Sequence, residues 1–165
     1  MVNKGRLVIM ACFAGLGGMM LFFYLYANSF QVDLDKVTVQ IDSIKVLDEN
    51  KLQKRAHLDV RFNFQNPTSI TMTVATINYE LYANGNKLGD GNLSTDDIPE
   101  AGRPILFAND NATLSNTFDL VNNDKIVKEY SAITGNQPVK YEVKGQVTIQ
   151  SFLTAVTKDF DVTFS

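Results

Sequence analysis

Cysteine is almost missing from this chain. The one copy, Cys12, sits in an uncharged N-terminal run, so the remainder has no thiol. That excludes disulfides, a cysteine-based zinc site and a cysteine nucleophile in the body of the protein. Histidine is equally scarce. His57 is the single copy, and it alternates with Leu58 on a segment whose other polar members are Asp59, Arg61 and Asn63. An exposed surface position follows, with neither a general base nor a transition-metal site to expect. No Gly-x-Ser-x-Gly turn supplies a nucleophilic serine. A basic cluster is also lacking. Of 15 Lys and Arg, only Lys4 and Arg6 precede Asp33, which leaves 13 against 18 Asp and Glu in the rest, a net charge of -5. A mildly acidic body with interspersed charges is a poor partner for nucleic acid or anionic headgroups.

Charge is absent altogether from Leu7 to Tyr26. Twenty helical residues rise about 30 Å, the thickness of a bilayer's hydrocarbon core. Lys4 and Arg6 precede the run, and Asp33 and Asp35 follow it. The positive-inside rule places the N-terminus in the cytoplasm and the rest outside, in a single-pass arrangement in the cell membrane. Phe22, Phe23, Tyr24 and Tyr26 crowd the far end, where aromatic rings favour the interface. A cleaved signal peptide would have a shorter apolar core, about 7 to 15 residues, although Ala27-Asn28-Ser29 offers a cleavage site. A lipoprotein box around Cys12 fails, because most of the apolar run follows the cysteine. A pilin-type leader at Lys4-Gly5 lacks the acidic residue expected soon after the cut. Ala11 with Gly15, and Ala14 with Gly18, form two small-xxx-small pairs that would let another membrane helix approach.

The expected organisation is therefore residues 1–6 in the cytoplasm, 7–26 in the bilayer, 27–36 as a polar stalk and 37–165 as one domain. That domain has the size of an ordinary globular unit and buries a core without staples. Its sequence reads as strands. Val37, Val39 and Ile41 alternate with polar residues, and Ile44 and Val46 continue after a phase shift that predicts a bulge. Ala56, Leu58, Val60, Phe62 and Phe64 form the clearest half-buried strand, ended by Asn66-Pro67-Thr68. Ile70, Met72 and Val74 form a short strand, and Ile77, Tyr79 and Leu81 resume in the opposite phase. Asn84-Gly85 predicts a tight hairpin with Leu88 on the return strand, which Gly89 and Gly91 weaken or bend. Residues 98–104 read as a loop, Asp110-Asn111 as a turn, and Thr113 to Leu120 as a strand. Asn122 or Asn123 caps a helix from Asp124 to Ile133, with Ile126, Val127, Tyr130 and Ile133 on one side, and Gly135 stops it. A long strand carries Val139, Tyr141, Val143, Val147 and Ile149. The last carries Phe160, Val162 and Phe164. Seven or eight strands with one short helix predict an all-β antiparallel sandwich of the immunoglobulin or fibronectin type III kind.

The stretch from Leu58 to Pro67, followed by Ile77-Asn78-Tyr79-Glu80-Leu81-Tyr82-Ala83-Asn84-Gly85 and Leu88-Gly89-Asp90-Gly91, resembles the WHy (water stress and hypersensitive response) domain of the group 2 late embryogenesis abundant proteins. In that family an alternating strand ends in an Asn-Pro turn, here Asn66-Pro67. A Tyr-Glu-Leu-Tyr-like strand then leads into a Gly-turned hairpin, here Asn84-Gly85. The resemblance spans roughly Val37 to Phe164. Thr68 stands where the family often has a second asparagine, and Asn109 to Asn116 match less cleanly. The resemblance implies a folded, non-enzymatic, membrane-anchored protein of the small prokaryotic or archaeal type, protective during desiccation.

The remaining features weigh less. Asp96-Asp97 and Asp110 are oxygen ligands in kind, but calcium-loop spacing is absent and turn chemistry explains them. Gly85, Gly89 and Gly91 flank a hairpin and do not open a helix, so they make no phosphate loop. Asn92-Leu93-Ser94 and Asn111-Ala112-Thr113 are N-glycosylation sequons, of a kind chance produces often in a chain this rich in asparagine. Phe62, Phe64, Phe152, Phe160 and Phe164 would suit an apolar-ligand carrier, though core packing accounts for them better. Besides the bilayer, the expected partners are other membrane proteins, in the alternative reading of an accessory or interaction subunit of a larger envelope complex. No cofactor or metal is expected.

Overall fold

A computed structural model describes residues 4–95, 103–152 and 154–165, with the side chains of residues 29–32 excepted. Asp96, Asp97 and most of the expected 98–104 loop lie outside the described residues.

Helix α1 runs from Lys4 to Leu34, 31 residues or about 46 Å. Its Lys4–Asn28 portion has a mean hydropathy of 2.1 and is not buried against the domain, so it is long and apolar enough to cross a bilayer. The expected stalk is not a separate segment. Residues 27–34 continue the helix, and Leu34 and Val37 are fully buried in the domain core. The helix ends in a tightened turn, with Lys36 N–H donating to Asp33 O and Val37 N–H to Leu34 O. The β-branched run after it enters the first strand.

Among the described residues eight strands form two antiparallel sheets. They are β1 (Thr38–Asn50), β2 (Arg55–Asn66), β3 (Met72–Ala83), β4 (Asn86–Ser94), β5 (Ile105–Leu106), β6 (Asp110–Val121), β7 (Tyr141–Gln150) and β8 (Ala155–Phe164). The smaller sheet has the order β1-β2-β6. The larger has β4-β3-β7-β8, with β5 pairing with the start of β3. Their inner faces meet in one core. Ala56, Leu58, Val60, Phe62 and Phe64 of β2 have no exposed surface, and each large apolar side chain so buried contributes about 1.5–3 kcal/mol. The rings of Phe62 and Tyr79 meet edge to face at 5.0 Å across the two sheets, with Phe160 6.2 Å from Phe62.

The bulge expected in β1 is present, between Ile41 and Ser43, and a second lies between Val46 and Asp48. The two short strands expected around Ile70–Leu81 are one strand. The phase change is a bulge between Val74 and Thr76, and Ile70 precedes the strand. Ala75, extruded by that bulge, keeps its carbonyl satisfied by the N–H of the buried Thr95 at 2.8 Å, while Thr95 Oγ1 donates chiefly to the Val74 carbonyl at 2.6 Å. The Asn84-Gly85 hairpin forms with both residues at positive φ, 50° and 85°, the twist that matches paired strands.

Three local expectations need correction. Asp110 and Asn111 lie in β6, and the turn sits one step earlier, where Asn109 takes φ 55°. Helix α2 spans Val127–Thr134 with Ile126 at its N-cap and no side-chain cap. Asn123 Oδ1 instead accepts the Lys125 N–H in the preceding turn, and Val127 faces solvent while Ile126, Tyr130 and Ile133 are buried. The last strand starts at Ala155, five residues before Phe160.

Candidate functional site

A groove of about 800 Å³ crosses the solvent face of the larger sheet. Register explains it. Tyr79 on β3 pairs with Gly91 on β4 and Gly145 on β7, and Gly145 pairs with Phe160 on β8. In this row Tyr79 and Phe160 pack toward the core, so backbone alone floors the groove. The glycines are needed by proximity. A Cβ at Gly91 would stand 2.2 Å from Tyr79 Cζ, and one at Gly145 would stand 2.1 Å from the Asn78 carbonyl oxygen. The Tyr79 ring covers the gap left on the edge strand by Gly91, as aromatic side chains do beside glycine. Its hydroxyl donates to Asn116 Oδ1 of the other sheet at 2.8 Å, and burial pushes its pKa up.

Two polar rows bank the groove. On one side Asn92 Nδ2 donates to Asn78 Oδ1, and Gln146 Nε2 donates to Asp159 Oδ1 at 2.9 Å. On the other, Lys87 pairs with Glu80 at 2.6 Å and Asp90 at 2.8 Å, while Lys144 pairs with Glu142 at 2.8 Å and Asp161 at 3.5 Å. The Tyr82 hydroxyl donates to Glu80 at 2.6 Å. Bonding to Lys87 and Tyr82 holds the Glu80 carboxyl below the usual range, bonding to Glu142 raises Lys144, and Asp90 and Glu80 raise Lys87. Each of these groups is driven further into its charged form, away from the range in which a proton is exchanged near neutrality. The groove presents donors and acceptors of both signs around a strip without side chains.

His57 lies on the other sheet. Its Nδ1 is 2.7 Å from Asp48 Oδ1 and its Nε2 is 2.9 Å from Asp119 Oδ1. Both carboxylates favour the imidazolium, and the Asp48 hydrogen bond leads the rise in pKa. The ring is the centre of a surface ion-pair triad. Nearby Asp59, in the polar row of β2, is buried at 8 % exposure. Ser115 and Arg61 bond it and hold its carboxyl low. Among the described residues no group of three or more His, Cys, Asp or Glu is placed to hold a metal ion.

The residues of the Asn-Pro and Asn-Gly turns lie at opposite ends of the domain. Asn66, 2 % exposed, ties one end together. Its Nδ2 donates to the carbonyls of Ile70 (2.7 Å), Phe107 (2.9 Å) and Leu106 (3.3 Å), and its Oδ1 accepts from Thr68 N–H (3.0 Å) and Oγ1 (2.7 Å). Pro67 follows without an N–H to place. At the other end Asn84 exchanges hydrogen bonds with Lys140 beside Gly85. The sequon asparagines are both exposed, Asn92 on the groove bank and Asn111 at the start of β6. Ala11, Ala14, Gly15 and Gly18 lie exposed on α1, and among the described residues no other part of the fold comes within 4 Å of where a Cβ on either glycine would stand.

Sequence reasoning missed Lys158. It lies in the inward phase of β8 between Val156 and Phe160, and its Nζ donates to Asp35 O at 2.9 Å and to Val37 O. It thereby satisfies carbonyls just past the C-terminus of α1. Burial lowers its pKa, partly offset by Asp35.

Among solved structures, a protein from Arabidopsis thaliana determined in solution is similar with a TM-score of 0.51 at 15% identity, over 77% of this chain and 83% of that one. A crystal structure from Archaeoglobus fulgidus aligns with a TM-score of 0.45 at 16% identity, over 76% and 94%. A solution structure bearing the late embryogenesis abundant name gives 0.41 at 10%, over 92% and 86%. A comparison with curated proteins returns no match. The likeness to the Arabidopsis protein shows a shared fold. A family model, described as late embryogenesis abundant protein, matches residues 61–163, from within β2 to the end of β8. With well over half its length inside that match, the chain belongs to the late embryogenesis abundant protein (LEA_2) family.

Proposed function

We propose that this is a membrane-anchored, non-enzymatic stress-protection protein of the WHy type. Residues 7–26 cross the cell membrane with the N-terminus in the cytoplasm, and an immunoglobulin- or fibronectin III-like sandwich stands outside. The family match over residues 61–163 carries the reading. The chemistry of the larger sheet is consistent with it. Lys87 and Lys144 each bind two carboxylates, so the charged outer face keeps its partners within the protein when water is withdrawn. Drying concentrates salts, but such networked pairs resist screening better than isolated ones. The physical role is a stable, self-satisfied polar surface held close to lipids and neighbouring proteins.

Deleting the gene tests this. Survival after drying and osmotic shock is expected to fall, and the full chain restores it whereas a chain lacking residues 4–26 does not. Unchanged survival of the deletion strain overturns the protective role.

A further inference from the structure

The two ends of the domain differ in chemistry. The end farthest from α1 is highly charged: residues 48–55 include Asp48, Glu49, Lys51, Lys54 and Arg55, and residues 122–129 include Asp124, Lys125, Lys128 and Glu129. At the end where α1 enters β1, residues 66–71, 105–109 and 151–154 carry no charged residue, although Asp33, Asp35, Lys36 and Asp110 flank them and the sequence between β4 and β5 holds Asp96, Asp97, Glu100 and Arg103, acidic residues outnumbering basic ones. Large apolar side chains project there into solvent. Phe152 is 100 % exposed, Phe107 55 % and Ile105 42 %.

These side chains are held outward by bonded backbone. Asn66 fixes the carbonyls of Leu106 and Phe107, and Asn109 N–H donates to Thr68 O at 2.9 Å. The β7–β8 turn is closed by Ser151 N–H donating to Thr154 O at 2.8 Å and by Ser151 Oγ donating to the same oxygen. A ring held on a closed turn, away from the core, is not a core residue that has slipped out.

The strand that follows this turn meets the junction with the helix. Lys158 touches the carbonyls of Asp35 and Val37, and β8 contacts α1. From Lys158 back to Ala155 the strand runs about 10 Å further toward the end of the domain that α1 enters. The last turns of α1 follow Phe22, Phe23, Tyr24 and Tyr26, the aromatic residues suited to a membrane interface.

We propose that Phe152, with Phe107 and Ile105, inserts into the outer interfacial layer of the bilayer that α1 crosses. The domain thus rests on the lipid at a second point and does not swing on its anchor. This rests on the reading of α1 as a membrane anchor. The partner is a zwitterionic lipid surface, since the contacting loops offer apolar rings without a basic cluster.

The chain contains no tryptophan, so one introduced indole reports its own surroundings. The full-length protein is reconstituted into phosphatidylcholine vesicles, with or without brominated acyl chains, as three variants: Phe152→Trp, Leu52→Trp and Phe13→Trp. Leu52 is 98 % exposed at the far end, and Phe13 lies within α1. The proposal expects blue-shifted, bromine-quenched emission for the indoles at 152 and 13, and red, unquenched emission at 52. Quenching at 13 without quenching at 152 overturns the second contact and leaves the anchor intact. A blue-shifted but unquenched indole at 152 means protein covers it, and also overturns the proposal. No quenching at 13 overturns the anchor reading, and the second contact with it.

Discussion

Replacing Asn66 by alanine tests the reading that one buried amide holds the anchor-side end of the domain. The side chain makes five hydrogen bonds and is 2 % exposed. Three are donations from one Nδ2, whose two protons serve the Ile70 and Phe107 carbonyls well and Leu106 at a longer 3.3 Å. Counting these as about two full bonds, and adding the two that Oδ1 accepts from Thr68, gives about four. At about 1 kcal/mol each, Asn66→Ala is expected to cost about 4 kcal/mol, with the buried Thr68 N–H among the groups left unpaired. For a domain of this size that lowers Tm by about 10–16 °C. The assay is urea unfolding of the full chain in detergent, followed by far-UV circular dichroism. Thr68→Val removes the hydroxyl's donation to Asn66 Oδ1 and its acceptance of the Ile70 N–H at 3.2 Å, and should cost about 2 kcal/mol. In the double variant the costs should fall short of additivity, because the Oγ1–Oδ1 bond is lost only once. A loss under about 1 kcal/mol for Asn66→Ala refutes the reasoning, since one bond would then account for all five.

Three further outcomes are expected. Gly145→Ala should destabilise by about 3 kcal/mol or more, because its Cβ meets backbone atoms of Asn78 and Tyr79 that cannot rotate away; equilibrium unfolding checks it against Gly85→Ala, where φ is +85° but the space is open and about 1 kcal/mol is expected. His57 has a folded pKa raised above 6.5, so its ion pairs stabilise fully below that pH and the contribution disappears as pH rises through the folded value. Urea midpoints of wild type and His57→Gln should therefore differ most in mild acid and converge in mild alkali; a constant difference would contradict the triad. Lys158 has a lowered pKa, so the unfolded chain binds more protons and wild-type stability should gain on Lys158→Met as pH climbs toward the pKa of a free lysine. The same stability series read at alkaline pH checks this: a constant difference would place Lys158 in solvent, and a wild type that loses ground there would mean that its bonds to the carbonyls outweigh its burial.

The sequence by itself determined the strand content, the apolar helix and the turns. Each is a local property: period-two burial in Ala56 to Phe64, twenty uncharged residues from Leu7, and two residues able to take positive φ at Asn84-Gly85. The polar register of β2 was legible as well, although burial of Asp59 was not, since it depends on Ser115 of a strand 56 residues away. Lys158 left a trace, a lysine in the apolar phase of Val156, Phe160 and Val162, but its partners are carbonyls more than a hundred residues earlier and no pattern names them. The phase break at Ala75 looked like two strands because a bulge and a turn interrupt alternation alike; only pairing with β7 tells them apart. The groove and the gathering of exposed apolar side chains beside the anchor belong wholly to the tertiary structure. Gly91, Tyr79, Gly145 and Phe160 form one row only because four strands stack in one register, and Phe107 and Phe152 share an end with the anchor only because the chain reverses between them. Local chemistry decides what each segment becomes, but which segments meet is set by long-range pairing.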